Sequence, residues 1–182
     1  MSLTLHDIET VFQRRGAEQY TGEPVTQLEH ALQTATLAEA SGADDELVTA
    51  CLLHDLGHLL HDLGETPSMR GVDDVHQYAA LPFLRGLFGD RVRGCIQLHV
   101  DAKRYLCATR AGYHEALSDD SKRSLVLQGG VFDAAQGAAF IAQTGAADAV
   151  RLRIWDDLAK TAGAPTPPLG HFLQRAARCT LR

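Results

Sequence analysis

No apolar run in the 182-residue sequence approaches the roughly 18 residues of a membrane span, so no membrane-spanning helix is expected. The first residues, Met1-Ser2-Leu3-Thr4, lack the basic segment leading into an apolar one that marks a secretory signal, and no such processing is expected. Positive charge is in short supply. Seventeen Lys and Arg stand against 23 Asp and Glu, a net charge of −6, which argues against a nucleic-acid platform and for small-molecule chemistry. The four cysteines, Cys51, Cys95, Cys107 and Cys179, form no C-x-x-C pair and read as reduced thiols of a cytoplasmic protein. Aromatic residues are only 6% of the chain. No stretch alternates polar and apolar residues with a period of two, and no internal repeat is present.

What remains is ordinary globular composition, 45% hydrophobic and 22% charged, at a length suited to one domain. Helical periodicity runs nearly throughout. Thr4 caps a helix carrying Leu5, Ile8 and Phe12 and ended by Gly16; Thr26-Gln27-Leu28-Glu29 is a capping box opening a helix to Gly42. Asp44 or Asp45 starts a third helix that is expected to pass through His54 and His58 to Gly64. A fourth carries His76, Ala79, Ala80, Phe83 and Leu87 on one arc, and a fifth, capped by Asp90, aligns Val92, Ile96, His99, Val100 and Lys103. Ser118 caps a shorter helix toward Gly129-Gly130. Two more run from Phe132 to Gln143 and from Ala147 to Ala162, and a terminal helix covers 169–180 after the Pro-rich break at 164–168. Irregular stretches are expected at 19–25, 63–73 and 109–117. The expected fold is an all-α helical bundle, one domain over 1–182 with its functional core at about 20–160.

The excess in this chain is histidine, nine residues. On the third helix His54 and His58 share the arc of Ala50 and Cys51, with Asp55 at its edge, so the imidazoles face the apolar side. One inward histidine is commonly a hydrogen-bonded core residue. Two of them one turn apart beside a carboxylate are different, because burying an ionised carboxylate is costly unless a cation pairs with it. Histidine with aspartate suits iron, manganese or zinc, and no cysteine lies at ligand spacing to make a thiolate zinc site. His76 and His99 also face inward on their helices. His30 falls nearly opposite Leu28, beside Thr34 and Leu37, and is solvent-exposed unless its helix is covered on both sides. Asp156 lies one turn after Leu152 with Asp157 as a competitor, while His6, His61, His114 and His171 read as surface or incidental residues.

The order His30, His54-Asp55, Asp156 resembles the H…HD…D signature of the HD-domain superfamily, whose members are all-α metalloproteins and mostly phosphohydrolases. His76 and His99 between the HD pair and the last aspartate mark the subset with two metals. Tyr20-Thr21-Gly22-Glu23, Gln27-Leu28-Glu29-His30, His54-Asp55-Leu56-Gly57-His58, His99-Val100-Asp101-Ala102-Lys103 and Arg153-Ile154-Trp155-Asp156 together resemble the phosphonate-degrading HD-domain oxygenases. That resemblance implies two iron ions, Fe(II)/Fe(III) mixed-valent when active. One takes His30, His54, Asp55 and Asp156; the other takes Asp55, His76 and His99, with Asp55 as the bridge.

The resemblance further implies O2-dependent cleavage of the C–P bond of a small organophosphonate. The expected substrate is 2-amino-1-hydroxyethylphosphonate, giving phosphate and glycine; the close variant is its 2-trimethylammonio analogue, giving glycine betaine. His58, Lys103, Ser121 and Arg153 match the positions that hold the phosphonate, Tyr20 the residue that covers a metal until substrate arrives, and Glu23 the residue that meets the substrate nitrogen. The alternatives are a metal-dependent HD phosphohydrolase acting on a phosphomonoester or nucleotide, which needs neither oxygen nor the tyrosine, and a non-catalytic HD regulatory module. Neither nucleic acid nor membrane is an expected partner.

Overall fold

The computed structural model describes residues 2–20, 22–61 and 67–181. Among these the regular structure is helical: α1 (Leu5–Arg15), α2 (Gln27–Ala40), α3 (Asp45–Leu53), α4 (Leu56–Leu60), α5 (His76–Ala79), α6 (Leu81–Leu84), α7 (Asp90–Thr109), α8 (Tyr113–Ala116), α9 (Asp119–Leu127), α10 (Ala134–Ile141), α11 (Ala146–Leu158) and α12 (Leu169–Ala177), with a 3-10 turn at Pro67–Arg70. Extended pairing among the described residues is limited to two isolated bridges, Gln19 with Thr26 and Phe88 with Thr180. No helix among them is long and apolar enough to cross a membrane.

Local chemistry sets the helix starts. Thr4, Thr26 and Ser118 cap α1, α2 and α9 with their hydroxyls, and at α2 the Glu29 carboxylate returns a 2.8 Å bond to the Thr26 amide. Asp44, not Asp45, caps α3. At α7 the cap is Gly89, and Asp90 stands in the first turn, where its charge suits the positive end of the helix.

Several expected boundaries are corrected. The helix beginning near Asp44 does not run through the His-Asp pair: α3 stops at Leu53, Asp55 has φ −102° and ψ 10°, and α4 restarts at Leu56. The break turns the Asp55 carboxylate into the space among the histidines, which a continuous helix would aim elsewhere. The expected continuation to Gly64, like Thr21 in the tyrosine motif, lies outside the described residues. The helix expected from His76 to Leu87 splits at Ala80. Pro82 has no amide to continue the ladder and sits in the first turn of α6, which leaves Phe83 38% exposed and buries Leu84 instead. Finally, α11 ends at Leu158 and α12 at Ala177, while α8 forms inside the stretch expected to be irregular.

The core forms around α3, whose residues from Leu47 to Leu53 are all buried, so this helix is apolar all round. It packs against α2, α7, α11 and α12, and α7 packs along α11. Because α2 is covered by α3 on one side and by α11 and α12 on others, His30 is fully buried despite its ambiguous place on the wheel.

Candidate dinuclear metal centre

Four imidazoles meet at the centre of this packing: His30 from α2, His54 at the end of α3, His76 from α5 and His99 from α7. Each has its Nδ1 tied outward. His30 Nδ1 donates to the Ala159 carbonyl at 2.9 Å, His54 Nδ1 to Cys51 at 2.8 Å and His99 Nδ1 to Ile96 at 2.6 Å, while His76 Nδ1 donates to Asp74 at 2.7 Å. Carbonyl and carboxylate oxygens only accept, so in the neutral rings the proton sits on Nδ1 and the lone pair on Nε2. Those lone pairs face each other: Nε2 of His30 and His54 are 3.2 Å apart, and Nε2 of His76 and His99 are 3.1 Å apart. Two acceptors at that distance repel unless a cation lies between them.

Asp55 joins the two pairs. Its Oδ2 lies 3.5 Å from His30 Nε2 and 3.4 Å from His54 Nε2. Its Oδ1 lies 3.3 Å from His76 Nε2 and 3.5 Å from His99 Nε2. Asp156 completes the first group, with Oδ1 3.3 Å from His30 Nε2. His30, His54 and Asp156 thus form one buried set able to hold a metal ion, and Asp55, His76 and His99 a second.

Buried Asp55 Oδ2 and Asp156 Oδ1 have no hydrogen-bond partner, which is costly for carboxylates unless they are ligands. Burial alone would depress the His54 pKa, yet the Asp55 and Asp156 carboxylates outweigh it and lift it to about 9. The cluster demands positive charge. By contrast, burial and then the neighbouring His58 push His76 down to about 4, leaving it neutral as a ligand must be. The donor set of imidazoles and carboxylates fits iron, manganese or zinc.

A pocket opens onto this centre, and Tyr20, Glu23, His58, Lys103, Ser121 and Arg153 all line it. The Tyr20 ring stacks on His30, centroids 4.0 Å apart at 13°. Burial, then Asp55 and Asp156, raise its phenol pKa well above the ordinary value. His58 stacks on His76 at 4.1 Å, and although burial opposes it, Asp55 and Asp74 raise the His58 pKa and favour its cation. Lys103 is 3% exposed and donates to Ser124 Oγ at 2.8 Å; Ser121 lines the pocket, and its Oγ accepts from the capping Ser118 hydroxyl at 3.2 Å.

Arg153 is buried and clamped. Its Nη1 meets Asp156 at 2.8 Å, Nη2 pairs with Asp157, and Nε reaches the Tyr113 hydroxyl at 3.3 Å. One N–H on each terminal nitrogen is left over. Asp157, the competitor of Asp156, is therefore taken up by Arg153 and Tyr113 rather than by the histidines.

Several partners escaped the sequence reading: Asp74 behind His58 and His76, Ser124 beside Lys103, Tyr113 and Asp157 around Arg153, and Lys160 on Glu23. Only Asp73-Asp74 shortly before His76 left a trace, and paired acids before a histidine are a weak signal. His61, read as incidental, packs edge-on against His58 with centroids 6.0 Å apart.

The HD-domain family model matches residues 28–127, which carry His30, His54, Asp55, His58, His76, His99 and Lys103. The chain belongs to the HD-domain family. It is 40% identical over 168 residues, 92% of this chain and 86% of the relative, to the glycine-betaine-forming [1-hydroxy-2-(trimethylamino)ethyl]phosphonate dioxygenase of Leisingera caerulea. It is 42% identical over 163 residues, 89% of this chain and 81% of the relative, to the hydroxymethylphosphonate dioxygenase of Gimesia maris. An uncharacterized protein of Acanthamoeba polyphaga mimivirus is 30% identical over 92% of this HD-domain chain and 78% of its own length.

Proposed function

We propose that this HD-domain protein is a dioxygenase that cleaves the C–P bond of a short 1-hydroxyphosphonate, using two iron ions that are Fe(II)/Fe(III) mixed-valent when active. One observation carries the reading: each oxygen of Asp55 faces a different pair of imidazole Nε2 atoms, at the floor of a pocket walled by Lys103 and Arg153. His30, His54, Asp55 and Asp156 would hold one iron, and Asp55, His76 and His99 the other. Iron in this centre would bind the substrate's oxygens and activate dioxygen. In the overall reaction the C1–H, C–P and O–O bonds break; one oxygen atom forms a new C1–O bond and the other a new P–O bond, so C1 becomes a carboxylate carbon, phosphate leaves, and dioxygen takes up four electrons. We place the enzyme in the cytoplasm, consistent with the unpaired thiols of Cys51, Cys95, Cys107 and Cys179.

The chain's own groups bind and orient. Lys103, Arg153 and the His58 cation supply charge-assisted donors to the phosphonate oxygens, with the Ser121 hydroxyl beside them. Arg153 arrives preoriented because Asp156, Asp157 and Tyr113 already hold its guanidinium. Tyr20, lying over His30, covers the first ligand set and must swing aside for substrate.

Glu23 meets the substrate nitrogen. A primary ammonium, that of Lys160, already sits 2.7 Å from this carboxylate. A trimethylammonium group offers no N–H and gains chiefly from charge and aromatic contact, and Tyr20 is the sole aromatic ring among the described pocket residues apart from histidines. We therefore rank 2-amino-1-hydroxyethylphosphonate, yielding glycine and phosphate, ahead of the trimethylammonio analogue, which the Leisingera relative favours.

The test is anaerobic loading with iron followed by phosphate release from 2-amino-1-hydroxyethylphosphonate, its trimethylammonio analogue and hydroxymethylphosphonate. Release should require dioxygen and vanish with zinc, which has no redox chemistry. Full-rate release without oxygen would mean hydrolytic rather than oxidative C–P cleavage and would overturn the dioxygenase reading. No release from any of the three, with phosphate released instead from a phosphomonoester, would make the protein a phosphohydrolase.

A further inference from the structure

The structure assigns to Asp74 a role that the metal and substrate groups above do not account for: we infer that it is the positioning residue which sets a candidate metal ligand and a substrate-facing histidine together. The inference rests on the reading of His76 as a ligand and His58 as a phosphonate contact. Asp74 Oδ1 accepts from His76 Nδ1 at 2.7 Å, and Oδ2 accepts from His58 Nδ1 at 3.0 Å. One carboxylate therefore turns both rings, which stack at 4.1 Å, so that their Nε2 atoms point at the same oxygen, Asp55 Oδ1, 3.3 Å from His76 and 3.8 Å from His58. A carboxylate behind a ligating histidine fixes the ring's tautomer and orientation and raises its basicity. Here the same carboxylate does so for a pocket residue too, coupling the second metal set to the phosphonate end of the pocket.

The backbone between the two carries a matching signature. Val75 lies at φ 45° and ψ 33°, the left-handed region that a β-branched residue rarely adopts. Its side chain is 46% exposed, so burial of the valine does not explain the conformation. What the turn achieves is to present the Asp74 carboxylate and the His76 ring to each other from residues two apart. Strain of this kind persists where surrounding contacts over-determine it.

The test is metal titration of Asp74→Asn, in which the amide oxygen can accept from one ring while its NH2 faces the other. Anaerobic Fe(II) titration against a competing chelator should show wild type binding two ions per chain. In Asp74→Asn the ion on Asp55, His76 and His99 should lose about 10- to 100-fold in affinity while the ion on His30, His54 and Asp156 is unchanged. The KM for hydroxyphosphonate should rise as well, and the metal-free melting temperature should stay near wild type.

Unchanged affinity for both ions overturns the assignment. So does an equal loss of both with a lower melting temperature, which would make Asp74 a general folding residue. A wild type that binds one ion only would instead sink the dinuclear reading itself. If Asp74→Asn does not fold, the zinc-loaded wild type decides: long-range 1H–15N spectra should show a proton on Nδ1 of both His58 and His76. An unprotonated Nδ1 on either ring overturns the role.

Discussion

The Lys160 ammonium lies 2.7 Å from the Glu23 carboxylate, tying the segment just beyond α11 to the loop that carries Tyr20. Both side chains are largely shielded, 15% and 11% exposed, so the pair occupies the carboxylate that a cationic substrate would use. Lys160→Met frees that carboxylate. The KM for 2-amino-1-hydroxyethylphosphonate should fall by about 2- to 5-fold, the scale of a partly screened ion pair, while that for hydroxymethylphosphonate, which has no nitrogen, should not move. Parallel changes for the two substrates would show that Lys160 shapes the loop rather than masking Glu23.

Asp55 divides its oxygens between two imidazole pairs, and the two sets should respond differently to substitution. Asp55→Ala should abolish binding of both irons, whereas His99→Ala should empty mainly one site. Iron per chain after anaerobic loading and desalting reads this directly. An Asp55→Ala protein holding two irons would disprove the bridge.

Gly57 lies where α4 passes the backbone of His76: a Cβ there would sit 2.1 Å from the His76 carbonyl oxygen. The oxygen is backbone and cannot rotate away, so Gly57→Ala must push α5 outward. A loss of about 1–3 kcal/mol in unfolding free energy is expected from such overpacking. Metal titration should show the ion of His76 and His99 lost before that of His30 and His54. A variant with wild-type melting and two tight ions would mean that α5 adjusts freely.

Burial, then the nearby Arg153 charge, push the Lys103 pKa down to about 7. The ammonium is therefore present below about pH 7 and lost above it, the direction that weakens phosphonate binding as pH rises. kcat/KM for the hydroxyphosphonate should decline above about pH 7, and Lys103→Arg, which stays charged, should extend the plateau upward. An identical pH profile in Lys103→Arg would remove Lys103 from phosphonate binding.

Much of this was legible in the chain itself. Caps such as Thr26 with Glu29 depend on residues three apart, and the His99 stripe of α7 depends on residues within one helix, so local pattern suffices. The His54-Asp55 break was not legible, because continuous periodicity through Leu53, Leu56 and Leu59 conceals a turn imposed by contacts of the side chains. Likewise the aligned position of Phe83 suggested burial, but Pro82 reset the helix and turned that ring outward.

The sequence by itself determined an all-α chain, the inward histidines and the order of the candidate ligands, since these follow from helical period, capping chemistry and the cost of burying charge. The tertiary structure decided which residues converge. A helical wheel orders faces relative to one another but does not say which of them a distant segment covers. His30 is buried because α11 and α12 cover α2, and its Nδ1 is satisfied by the Ala159 carbonyl 129 residues away. Asp156 rather than Asp157 faces the imidazoles because Arg153 and Tyr113 claim the latter, and Asp74 comes behind two rings at once only through the left-handed turn at Val75. Such choices rest on distances of about 3 Å between elements far apart in the chain, where hydrogen bonds and ion pairs either form or fail.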